Sequence, residues 1–174
     1  GLTQYVAEFL SISFAYPMGA SIILAVLLGG ATACFYLYLK KCGFKTSMLV
    51  AILPGFLFWW FPQESITPLL TVLIVLGTAV AYASVACKKV RYSIGLVLLT
   101  LTYFTSAPAP LLAAVLMGIY ECPQANKERL WIALAGVAYS CVLPLLAMRA
   151  FYVIPMQEAY IGKHLFHPEF PAPT

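Results

Sequence analysis

The chain contains no aspartate, and its only acids are the glutamates Glu8, Glu64, Glu121, Glu128, Glu158 and Glu169. None of them falls in the middle of an apolar run, so the ionisable group that proton relays and ion-coupled carriers keep at membrane depth is missing from this segment. Charge of either sign is scarce: 9% of residues are charged and 63% hydrophobic, against roughly a quarter charged and half apolar in an ordinary soluble domain. That balance excludes a water-soluble fold. The cysteines Cys34, Cys42, Cys87, Cys122 and Cys141 show no CxxC spacing, and no nucleotide, metal or catalytic motif stands out, so no cofactor is implied.

What the chain does have is long apolar runs with lysine and arginine at their ends. The net charge of +4 does not point to nucleic acid, because a nucleic-acid domain gathers its bases on one solvated face. Here Lys40, Lys41 and Lys45, then Lys88, Lys89 and Arg91, then Lys127 and Arg129 alternate with the hydrophobic runs, and only Arg149 and Lys163 fall elsewhere. This is the positive-inside pattern of membrane proteins. The expected fold is therefore all-α, a polytopic transmembrane helical bundle of about six passes in the bacterial inner membrane, with the basic loops cytoplasmic and both termini of the segment outside.

Residues 1–17 read as an outer-face amphipathic helix lying in the interface, with Leu2, Tyr5, Val6, Phe9 and Leu10 on one side and Thr3, Gln4, Glu8 and Ser11 on the other. The transmembrane domain, 18–154, divides into runs at 19–39, 46–61, 66–87, 92–106, 110–120 and 130–154. The second ends in the aromatic belt of Trp59 and Trp60. Residues 155–174 form an outer-face, Pro-rich tail. An outside N-terminus without basic residues or a leader suggests a preceding transmembrane segment.

The run from Tyr92 to Tyr120 is broken only around Ser106, Pro108 and Pro110 and has basic residues on both flanks, so it must be a hairpin, either of two short spans or re-entrant. Tyr103, Thr105 and Ser106 gather hydroxyls at this break, and broken helices often line binding sites in membrane proteins. Arg149, on the same outer side, suits a lipid phosphate through its planar fork. Arg149, Tyr103, Thr105 and Ser106 are thus the candidate ligand-binding residues, with an anionic lipid or lipid phosphate as the ligand. His164, His167 and Glu169 have metal-like spacing but read as a solvated tail beside Pro168, and no metal site is expected. Cys42 and Cys87 have lysine neighbours that favour the thiolate, and all five cysteines are expected to be free thiols.

Gly1, Leu2, Tyr5, Phe9 and Leu10, then Tyr16, Pro17, Gly19 and Ala20, Leu53-Pro54, the basic loop at Arg91, and Tyr103 to Pro110 ending at Glu121 resemble an uncharacterised family of bacterial polytopic inner-membrane proteins. The resemblance implies architecture and a longer chain, and carries no assigned activity. Two functional classes follow. One is the membrane module of a polyprenyl-phosphate-sugar glycosyltransferase, in which Glu8 or Glu64 would have to serve as the outward base. The other is a transporter half or a non-catalytic membrane subunit, with small-residue faces such as Ala114 to Gly118 and Gly136 to Ser140 as helix contacts.

Overall fold

A computed structural model describes residues 2–12, 15–44, 48–52, 66–107, 109–122 and 127–151; the side chains of 17, 48, 49, 127–130 and 148–151 lie outside that description. The described residues are helical, with no strand among them. They form α1 (Leu2–Ile12), α2 (Pro17–Lys41), α3 (Met48–Ala51), α4 (Thr67–Ser84), α5 (Lys88–Thr105), α6 (Ala109–Glu121) and α7 (Lys127–Phe151). Most of the expected run 46–61 and the whole tail 155–174 lie outside the described residues, as do His164, His167 and Glu169.

Local chemistry sets the boundaries. Pro17 and Pro68 stand in the first turns of α2 and α4, where the missing N–H of proline costs nothing. At the far end of α2, Gly43 takes a φ of 82°, a left-handed conformation that lets the chain leave the helix after Lys41. The basic stretch at 88–91, read from sequence as a loop, is the first turn of α5, so that helix begins four residues before the expected start at 92.

Helices α4 and α6 are the centre of the bundle. α4 packs against α1, α2, α5 and α6, while α6 packs against α4, α5 and α7. Small side chains allow this: Ala79 on α4 and Ala113 on α6 are completely buried, and Ala83 and Ala114 nearly so, which brings the helices close at low cost in side-chain entropy. The main core joins Val75, Tyr82, Leu99, Ala109, Ala113, Ala114 and Met117. A second cluster, Ala7, Leu27, Ile66 and Leu69, ties α1 to the middle of α2 and the start of α4.

The outer surface carries many large apolar side chains. Met18 and Val26 on α2 are 81% and 66% exposed, and Phe9 on α1 and Trp131 on α7 are 73% and 71% exposed. α1 buries Thr3 and Ala7 and turns Leu2, Tyr5, Val6 and Phe9 away from the bundle. Two helices, Met18–Lys41 and Thr67–Ser84, are long and apolar enough to cross a membrane; Ala109–Glu121 and Trp131–Ala147 are shorter apolar helices.

Candidate functional site

The ends of α4, α5 and α6 meet at one end of the bundle, and there the chain buries a charge pair. Arg91, at the end of the first turn of α5, lies 2.9 Å through Nη2 from Oε1 of Glu121, the last residue of α6; their side chains are 6% and 2% exposed. The Tyr82 hydroxyl, at the end of α4, donates to the same carboxylate oxygen at 3.1 Å. Three tyrosine rings surround the guanidinium, with Tyr120, Tyr82 and Tyr92 centroids 5.4, 5.7 and 5.8 Å from its carbon, within the range of cation–π attraction. Tyr120 stands edge-on to Tyr82 and donates through its hydroxyl to the Ala83 carbonyl. Arg91 Nη1 also reaches the Val85 carbonyl where the chain leaves α4.

Each member of the pair opposes its own helix. A cation near a helix N-terminus and an anion at a C-terminus both meet the unfavourable end of the macrodipole. Antiparallel pairing of α5 and α6 cancels the two mismatches, and the three rings and Tyr82 hydroxyl compensate part of the lost hydration. The Arg91 Nε and Nη2 hydrogens nevertheless meet no hydrogen-bond acceptor among the described residues, so the Nη2 contact with Glu121 is electrostatic and not an aligned hydrogen bond.

A cavity of about 170 Å³ opens beside the pair, between α5, α6 and α7. Its polar end is Glu121, Tyr82 and Tyr92. Its walls are apolar, and many are small: Gly95, Ala114, Gly118, Ala133, Ala135 and Gly136. At Gly95 a Cβ would stand 2.8 Å from the Tyr82 ring, whereas at Gly136 it would meet nothing within 4 Å.

The other end of the bundle holds the hairpin break and most of the candidates taken from sequence. Tyr103 and Ser106 are buried and Thr105 is half-buried. Thr105 donates through Oγ1 to the Thr102 carbonyl, the Ser106 hydroxyl shares a 3.2 Å hydrogen bond with that of Thr71, and Thr3 Oγ1 donates to the Thr105 carbonyl at 2.8 Å. Ser140 donates to the Pro110 carbonyl. The Thr3 hydroxyl of α1 thus satisfies a carbonyl in the last turn of α5, which a helix end away from water requires. Arg149 belongs to the last turns of α7, but its side chain lies outside the described residues.

Sequence reading passed over Arg91 and Glu121 as loop charges. A signal was present: if the chain folds back at Ser106–Pro108, Arg91 and Glu121 lie nearly equal distances on either side of the turn, so an antiparallel hairpin sets them side by side. Cys42 behaves differently from the expectation drawn from its lysine neighbours. Burial pushes its thiol up, and a hydrogen bond with Tyr38 offsets this only in part. Cys34, Cys42, Cys87, Cys122 and Cys141 are free thiols.

No curated protein and no solved structure matches the chain. The family model for DUF6057, a family of unknown function, matches residues 1–173, and the chain belongs to that family.

Proposed function

We propose that this chain is a multi-pass, non-catalytic membrane subunit or membrane module of the bacterial inner membrane, with the Arg91–Glu121 end of the bundle in the cytoplasm. The observation that carries this reading is the placement of the lysines. Lys40 and Lys41 are exposed in the last turn of α2, where they suit the helix dipole, and Lys88 and Lys89 are exposed in the first turn of α5, where they oppose it. Helix stability therefore cannot explain both sets. What they share is one end of the bundle, since the Tyr38 hydroxyl near the end of α2 donates to the Leu116 carbonyl on α6, about a turn and a half from Glu121. A common end for lysines of both kinds is what positive-inside insertion produces.

The outward apolar face of α1 supports an interfacial position for that helix, and the many large apolar side chains left exposed on α1, α2 and α7 favour a lipid-facing surface. The six-pass topology, with both ends of this segment outside, belongs to the same reading. So does an anionic lipid head group at Arg149. A glycosyltransferase module ranks lower, because the exposed acid of α1, Glu8, has Gln4 and its own helix as neighbours and no second acid beside it among the described residues.

The test is fractionation. The full-length protein should stay in the inner-membrane fraction through alkaline carbonate and urea washes. Release into the supernatant would overturn the reading.

A further inference from the structure

We infer that the cavity between α5, α6 and α7 is a binding site for a small neutral amphiphile bearing a hydroxyl head, an aliphatic alcohol in chemical class. This goes beyond the proposed membrane role, and its test does not depend on topology.

Three observations converge on that ligand. The first is that the space is built: Gly95 on α5, Ala114 and Gly118 on α6, and Ala133 and Gly136 on α7 all line it, where larger side chains would close the gap. An apolar void of about 150 Å³ is large enough to take up benzene, and this one measures about 170 Å³, so it accommodates a ring or a short alkyl chain. The second is the sum of charge at the polar end. Arg91 and Glu121 neutralise each other at 2.9 Å, so a charged head group would bring an uncompensated charge into a buried site. The third is hydrogen-bond sense. The carboxylate of Glu121 only accepts, whereas the hydroxyl of Tyr92, which lines the same end of the cavity, can also donate. A hydroxyl both donates and accepts. It can give its hydrogen to Glu121 while its oxygen takes a hydrogen from the Tyr92 hydroxyl; an ammonium head only donates, and an ether only accepts.

The experiment is photolabelling of the purified full chain in nanodiscs with an octanol carrying a diazirine on its alkyl chain, with modified peptides mapped by mass spectrometry. Saturable labelling of peptides from α5, α6 and α7 is expected, and unlabelled octanol should compete about tenfold better than octane or octylamine, the size of effect expected when hydrogen bonds to a charged pair are gained. Gly136→Leu places side chain where a Cβ meets open space, so it should abolish the saturable labelling while leaving the melting temperature unchanged or raised. Labelling that does not saturate, equal competition by octane, better competition by octylamine, or full labelling of a well-folded G136L variant would each overturn the assignment. If G136L fails to fold, the competition series on the unmodified chain decides alone.

Discussion

Arg91 and Glu121 show why a buried ion pair is weak evidence of stabilisation but strong evidence of mutual dependence. Replacing both by apolar residues of similar volume is often neutral, whereas removing one leaves a bare charge in a low dielectric. Arg91→Met alone should therefore lower unfolding free energy in detergent by about 3–5 kcal/mol, and Arg91→Met with Glu121→Met should recover most of that loss. Additive losses in the double variant would show that the two residues do not act as a pair. Cys42 supplies a pH test at the same scale. Because burial raises its pKa, the thiolate that reacts with iodoacetamide forms at higher pH than in a solvated peptide thiol. The rate profile for Cys42 should be displaced to higher pH relative to glutathione, as followed by mass spectrometry in a chain lacking the other four cysteines. A displacement to lower pH would restore the effect expected from the neighbouring lysines.

At the scale of elements, the contact of α5 with the end of α4 depends on one glycine. A Cβ at Gly95 would stand 2.8 Å from Tyr82 Cε2, and that ring cannot swing freely because its hydroxyl is held by Glu121 and its face by Tyr120. Gly95→Ala should cost about 1–3 kcal/mol, as overpacking of a core usually does, even though alanine is the better helix former. An increase in stability, measured by thermal unfolding in detergent, would show that Tyr82 moves aside without loss. The hairpin itself was legible in the sequence, since two prolines interrupt an apolar run with basic flanks. The roles of its hydroxyls were not: Thr71 and Thr3 reach Ser106 and the Thr105 carbonyl from helices 35 and 102 residues away, and composition near the break carries no record of such partners. Helix starts were misplaced for a related reason, because basic residues mark the edge of the hydrocarbon-compatible run and not the edge of the helix, which in α5 continues through Lys88.

For the whole molecule, the all-helical architecture followed from long apolar runs and scarce charge, because those features report the surrounding medium more directly than they report packing. Which helices occupy the centre did not follow: α4 and α6 are distinguished by buried alanines, and α2, just as apolar, stays at the edge with most of its surface uncovered. Membrane orientation is the claim on which the proposed role depends, and cysteine accessibility in intact cells tests it most directly. On a Cys-free background, a single cysteine at Lys89 should react with a membrane-impermeant maleimide only after the inner membrane is permeabilised, while one at Gln63 should react without that treatment. Labelling at position 89 from outside intact cells would contradict the account.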